Sequence, residues 1–302
     1  MHGDPRSASG GGPSKRRDRR RGWLAVGPAQ RPVLFVNPRS GNGAATRAGL
    51  TERAHELGIE VVTLGVGGNL AELVGGAVEN GADALGMAGG DGSLSVVAAA
   101  AAANGLPFVC IPAGTRNHFA GDLGLDRRDP VAALRAFGAG LEGRIDLGEV
   151  NGRLFLNNVS LGVYGEAVRT SAYREAKART LVETAQRVLG PGAQTPGLRL
   201  VDDIGHEHDH PLMVLVSNNP YALDSPPNRG ARPALDGGLL GIVVLDAPSD
   251  GPQAPGRAWT APTIEVSAPA AVDAGIDGEA VELNPPLRFA IRPAALRVRI
   301  AR

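Results

Sequence analysis

Short, uninterrupted apolar blocks mark the first half of the chain: Val33-Leu34-Phe35-Val36, residues 59–64, Ala84-Leu85-Gly86-Met87-Ala88 and Phe108-Val109-Cys110-Ile111. Blocks of this length read as strands buried on both faces. Helix-forming stretches separate or follow them at 44–57, 71–79, 94–103 and 131–137. That alternation predicts right-handed βαβ units around a parallel sheet. After residue 143 the pattern changes. Residues 144–150 and 153–159 read as extended and are joined by Asn151-Gly152, a type I′ hairpin signal. A charged, helix-forming stretch at 164–189 and a break at 191–196 follow. Short strands then recur at 198–202, 212–217, 239–245, 264–267, 271–275, 279–283, 287–291 and 295–300, with turn signals such as Asp236-Gly237-Gly238 between them. The expected class is α/β with two domains. A Rossmann-like parallel domain occupies 31–143, an antiparallel β-sandwich occupies 144–302, and the site lies in the cleft between them.

Residues 1–30 form a separate tail. It holds Lys15-Arg16-Arg17-Asp18-Arg19-Arg20-Arg21 and almost no large apolar side chain, so it is expected to be disordered. No apolar stretch follows that would make it a secretory signal. Its two readings are a solvated extension and a weak contact with anionic membrane, with Trp23 and Leu24 at the interface. The whole chain is charge-balanced, with 31 Lys and Arg against 31 Asp and Glu, which argues against a nucleic-acid partner. One cysteine, Cys110, falls in a predicted buried strand and reads as an inert core thiol. No disulfide can form within the chain, and no apolar run suggests a membrane span. A cytoplasmic location, with peripheral contact at the inner membrane face, is the expectation.

Three polar, glycine-containing turns each follow an apolar block: Asn37-Pro38-Arg39-Ser40-Gly41-Asn42-Gly43, Gly89-Gly90-Asp91-Gly92-Ser93 and Pro112-Ala113-Gly114-Thr115-Arg116-Asn117. In an open parallel sheet such turns share one edge, so they are expected to converge on one site. Asn37, Ser40, Asp91, Ser93, Thr115 and Asn117 would supply its donors and acceptors. Glycines before a helix N-terminus suit phosphate. Among groups that favour anions, the Asp91 carboxylate reads as a partner for a metal ion or a substrate hydroxyl, or as a helix cap. The chain has no P-loop and no kinase H-R-D loop, so a phosphate site must be built from these turns. Asp277-Gly278-Glu279 is a second acidic pair, and residues i and i+2 of an extended stretch share a face.

These motifs, with Asp146-Leu147-Gly148 and Asn158-Val159-Ser160-Leu161-Gly162, stand in the order seen in diacylglycerol kinase catalytic domains. The chain resembles that family over roughly residues 31–300, and NAD kinases more distantly. It departs at Ser93, where the family usually has Thr, at Ser95 and Val96, where Asn and Glu are common, and at His118, where Asp is common. The resemblance implies an ATP-dependent lipid kinase that uses Mg²⁺. It implies that Gly89, Gly90, Asp91, Gly92 and Ser93 hold the ATP phosphates with Asn37, Ser40 and Gly41. Arg39 would act as a clamp, and the Gly114 turn would reach the nucleotide through Thr115 and Asn117. It makes Asp91, Asp277 and Glu279 the catalytic carboxylates, with the general base open between Asp91 and Glu279.

In bacterial relatives a loop like that of Asp236 contributes to a structural Mg²⁺ site, which adds Asp236 to Asp91 as a metal candidate; the other reading is an Asp-Gly turn. Residues 205–210, Gly-His-Glu-His-Asp-His, invite a metal reading, but their polar setting before a strand favours a solvated hairpin turn. The acceptor expected first is diacylglycerol. Ceramide, a sphingoid base and a polyprenol-like alcohol stay open, as do NAD kinase activity, homodimerisation and a non-catalytic nucleotide- or lipid-binding role on the same fold.

Overall fold

The computed structural model describes residues 22–162, 197–223, 230–246 and 256–302. The basic cluster at 15–21, the helix expected at 164–189 and the break at 191–196 lie outside the described residues. The first half contains β1 (Leu24–Val26), β2 (Pro32–Val36), α1 (Ala44–Arg47), α2 (Leu50–Glu56), β3 (Glu60–Thr63), α3 (Leu70–Glu79), β4 (Ala84–Gly89), α4 (Asp91–Ala103), β5 (Pro107–Pro112), α5 (His118–Asp122) and α6 (Pro130–Ala133). The second half contains β6 (Gly140–Val150), β7 (Arg153–Phe155), β8 (Asn158–Gly162), β9 (Arg199–Val201), β10 (Glu207–Asp209), β11 (Met213–Asn218), β12 (Leu240–Leu245), β13 (Gly256–Ala261), β14 (Thr263–Val266), β15 (Val272–Ile276), β16 (Glu279–Leu283) and β17 (Leu287–Ala301).

The apolar blocks are the parallel strands. β2, β4 and β5 are buried at every position, and β3, β2, β4 and β5 run parallel in that spatial order. Helix α4 buries Leu94, Val97, Ala98 and Ala101, the i, i+3, i+4, i+7 stripe of an amphipathic helix. That stripe packs with Phe35, Leu85, Met87 and Phe108 of the sheet. Truncating Leu94 to Ala would cost about 2–5 kcal/mol. The stretch 44–57 is two helices and not one, because Gly49 takes a left-handed φ of 58° at the start of α2.

The last strand returns to the first sheet. β17 runs parallel to β5 on one side and antiparallel to β6 on the other. It is one 15-residue strand where two were expected, with a register shift between Arg292 and Leu296. The bulge lets its two halves serve two cores. Leu296, Val298 and Ile300 pack in the α/β core. Leu287, Phe289 and Ile291 face a six-stranded antiparallel sheet, β13-β12-β11-β8-β15-β16, whose Val159, Leu161, Val214, Val216, Ile242 and Val244 fill the other side. The second unit is therefore a sandwich, and the sequence boundary at 143 falls inside β6.

Asn151-Gly152 makes the expected hairpin, with positive φ at both residues and Val150 opposite Arg153. Part of the expected tail is ordered. β1 pairs with β6, and the Trp23 ring fills the space left open over Gly143. Trp23 thus packs on the protein's own core, while Leu24 stays exposed.

Residues 205–210 are not a solvated turn throughout. Glu207–Asp209 pair with β9, and His208 is buried, with Nδ1 at 2.9 Å from the Asp246 carboxylate and its ring stacked on Trp259. His206 and His210 lie beyond the paired residues and are exposed. Among the described residues no three His, Cys, Asp or Glu side chains group to hold a metal ion, and no helix is long and apolar enough to cross a membrane.

Candidate functional site

The three glycine turns meet backbone to backbone at the carboxyl ends of β2, β4 and β5. Gly114 sits so close to the second turn that a Cβ there would come within 2.7 Å of the Gly90 Cα. Gly41, at φ 57°, would collide with the Ala113 carbonyl in the same way. Only glycine permits these approaches. The Asn37 N–H donates to the Ala88 carbonyl at 2.9 Å, and the Asn37 Oδ1 accepts from the Arg39 N–H at 3.1 Å, which shapes the first turn. Arg47 donates to the carbonyls of Gly41 and Asn42 in that turn. Asn117, at φ 51°, is committed to its own turn: its Oδ1 accepts from the Gly114 N–H and its Nδ2 donates to the Gly114 carbonyl, both at 2.8 Å. Ser93 packs beneath Gly89. Arg39 and Thr115 are exposed on the first and third turns.

Asp91 opens α4, but the cap residue of that helix is Gly90, which makes no side-chain bond. The Asp91 carboxylate instead accepts from the backbone N–H groups of His118 and Phe119, at 3.5 and 3.3 Å, at the start of α5. It thus ties the second turn to the third. Cys110 lies beneath; burial, and then the Asp91 charge, push its thiol well above the ordinary value.

The second acidic pair arrives from the β-sandwich. Glu279 reaches across to α4, where a Cβ on Gly92 would overlap the Glu279 carboxylate. Glu279 is exposed and faces the glycine turns; Asp277 is buried. The Asp277 carboxylate accepts from the backbone N–H groups of Leu156, Asn157 and Asn158, at 2.8, 2.7 and 3.1 Å, and from the Ser95 hydroxyl of α4. Burial pushes the Asp277 carboxyl above the ordinary value, and the four donors oppose that rise. The pair therefore divides: Asp277 holds the two units together, and Glu279 stands at the glycine turns.

Sequence reasoning missed what lies beneath. Arg232 is fully buried. It donates to the Asp122 carboxylate at 2.8 Å, to the carbonyls of Leu156 and Asn218, and to the Asn157 Oδ1 at 2.7 Å. Asp122 closes α5, the helix whose first turn Asp91 holds. A closed circuit results: α4 to α5 through Asp91, α5 to residues 156–157 through Arg232, and back to α4 through Asp277 and Ser95. Asp146, also buried, accepts from the N–H groups of Gly238 and Ala294 at 2.7 and 2.8 Å and from the Asn219 amide. Buried arginines carry no periodic sequence signal; the Asn157-Asn158 and Asn218-Asn219 doublets were the visible trace.

Asp91 offers one carboxylate whose two N–H contacts are long, and Asp236 is exposed on a different loop. Such a donor set suits a hydrated Mg²⁺ shared with phosphate oxygens and not an all-protein cage. A groove of about 1120 Å³, lined by Leu200, Ile264, Arg288 and neighbours, lies at the far end of the sandwich and includes none of the glycine turns.

The chain is similar to known proteins in sequence and in fold. The diacylglycerol kinase catalytic domain model matches residues 31–150. A Mycobacterium tuberculosis protein named diacylglycerol kinase is 39% identical over 123 residues, 39% of this chain and 40% of the relative. The match thus spans about two fifths of that relative's length. A Pseudomonas fluorescens protein described as "Probable lipid kinase YegS-like" is 30% identical over 261 residues, 77% of this chain and 82% of the relative. A solved structure of a diacylglycerol kinase from Bacillus anthracis str. Sterne superposes with a TM-score of 0.62, covering 90% of this chain and 97% of that one; at 18% identity it speaks to the fold alone. Similarity at 30% identity over 82% of a lipid kinase relative shows, with the matched catalytic-domain model, that the chain belongs to the diacylglycerol kinase and lipid kinase family.

Proposed function

We propose that this chain is an ATP-dependent lipid kinase that transfers the γ-phosphoryl group to a lipid hydroxyl, with diacylglycerol as the first acceptor to test. The observation that carries the reading is Glu279 lying against Gly92, which brings a carboxylate of the sandwich onto a turn built for phosphate. Family membership supports ATP as donor, and the names of the relatives support a lipid acceptor.

In this reading the backbone N–H groups at the start of α4 and the positive end of its dipole receive the ATP phosphates. Gly41, Gly89, Gly90, Gly92 and Gly114 let backbone approach them. Asn37, Arg39, Ser40, Ser93 and Thr115 supply polar contacts, and Asn117 holds the shape of its turn. Asp91, with Asp236 as the second candidate, would hold Mg²⁺, which when bound neutralises phosphate charge. Glu279 accepts the hydroxyl proton as the new O–P bond forms and the bond to ADP breaks. Asp277 keeps Glu279 in place. Peripheral contact with anionic membrane would deliver the lipid.

The test is transfer of γ-labelled phosphate from Mg-ATP to a panel of diacylglycerol, ceramide, sphingoid base and polyprenol in mixed micelles, with NAD⁺ as a separate acceptor. Labelled lipid supports the reading and its identity names the acceptor. Labelled NADP⁺ alone, or Mg-ATP binding without turnover on any acceptor, would replace it with a NAD kinase or a non-catalytic regulator.

A further inference from the structure

The Ser95 side chain of α4 touches both acidic motifs. Its hydroxyl lies 3.1 Å from the Asp91 backbone carbonyl and in hydrogen-bond contact with the Asp277 carboxylate. A hydroxyl has one proton, so it donates to one of these two acceptors at a time, and from this place either is within reach. Asp277 and Gly278, with φ 49° and 88°, are the two left-handed residues of the tight turn between β15 and β16, a turn that Asp-Gly favours, and the Asp277 carboxylate takes four contacts. Three of those contacts come from the sandwich's own backbone at 156–158. Those three fix Asp277 within the second unit. The Ser95 hydroxyl is the contact that ties it to the helix carrying Asp91 and Gly92. Two residues on stands Glu279, against Gly92.

We propose that Ser95 is a positioning residue which, acting through Asp277, sets where Glu279 stands on the Gly89–Ser93 turn. The proposal deepens the kinase reading and rests on it for its consequence in rate; its structural half does not. Without the hydroxyl, Asp277 keeps its three backbone donors, so the sandwich stays intact. What is lost is the register of the Asp277-Gly278-Glu279 turn against α4. Small misplacements of a reacting group cost rate far more than they cost binding.

The experiment compares Ser95→Ala and Ser95→Thr in the full chain. Ser95→Ala is expected to lower kcat by about tenfold to a hundredfold on the lipid acceptor. Its KM for Mg-ATP should stay within about twofold of wild type, since a transition-state effect leaves ground-state binding alone. Ser95→Thr, which keeps the hydroxyl, should recover most of that loss. Hydrogen exchange of a peptide spanning 272–283 should speed up in Ser95→Ala and not in Ser95→Thr, and this reading needs no substrate. Unchanged exchange in Ser95→Ala overturns the proposal whatever the activity, and so does an equal kcat loss in both variants. Loosened exchange in a protein that phosphorylates no lipid upholds the coupling and overturns the kinase reading instead.

Discussion

Arg232 and Asp122 form a buried ion pair, with Nε donating to Oδ2 at 2.8 Å, at the base of the helix whose first turn meets Asp91. The pair stands where the sandwich touches the α/β unit, and both partners are spoken for by further backbone contacts. A charge so placed stabilises only while its partner remains. Asp122→Ala is expected to cost ~3–5 kcal/mol, which lowers the melting temperature by about 10 °C in a chain of this size. The double change Asp122→Leu with Arg232→Met should melt above Asp122→Leu alone. A single variant that melts beside wild type would show that the pair does not carry the junction.

Asp91 joins the second and third turns, and its charge faces the place where phosphate is proposed to lie. Asp91→Asn keeps an acceptor for α5, and Asn caps a helix about as well as Asp. The melting temperature should hold to within a few degrees while turnover falls by about 100-fold or more. Steady-state rates measured beside thermal melts decide it. Near-normal turnover would reduce Asp91 to a cap for the neighbouring helix.

Gly92 separates stability from activity more sharply. It lies in the first turn of α4, where alanine is favoured by about 1 kcal/mol on propensity. Yet a Cβ there would occupy the space of the Glu279 carboxylate. Because Glu279 is exposed, its side chain can swing away. Gly92→Ala should therefore fold as well as wild type and lose turnover by about tenfold or more. An active Gly92→Ala enzyme would remove Glu279 from the reaction.

Away from the glycine turns, acid should also act at Glu142 of β6. Partial burial pushes Glu142 up, but its bonds to Arg297 and Arg299 outweigh that and hold its carboxyl below the ordinary 4.5. A depressed carboxylate contributes stability that is present above the unfolded-state value and is lost as pH falls through the folded-state value. The contribution should therefore be full at neutral pH and fade below about pH 4.5. Glu142→Gln should melt lower than wild type at pH 7 and converge with it toward pH 3. A constant gap across that range would assign the loss to packing instead of charge.

What the sequence by itself determined was local. Runs such as Val33-Leu34-Phe35-Val36 can only be buried, Asn151-Gly152 can only turn one way, and glycines at strand ends announce a backbone that must come close to something. The strands, α4, the hairpin and the convergence of the three turns followed from those constraints, because each acts within a few residues. Tertiary structure decided what depends on distance along the chain. Residues 287–301 read as two ordinary strands, yet their bulge sends one half beside β5 and the other into the sandwich. Asp277 and Glu279 share a motif, yet one is buried under four donors and the other stands open at Gly92. His208 lies in a polar stretch, yet pairing with β9 buries it on Trp259. Arg232 shows nothing in sequence, because a buried charge is set by partners brought from elsewhere: Asp122, 110 positions away, and Asn157, 75 positions away. Periodicity records which face of an element is dry; it does not record which polar groups will meet there, since that follows from how the two units close on each other.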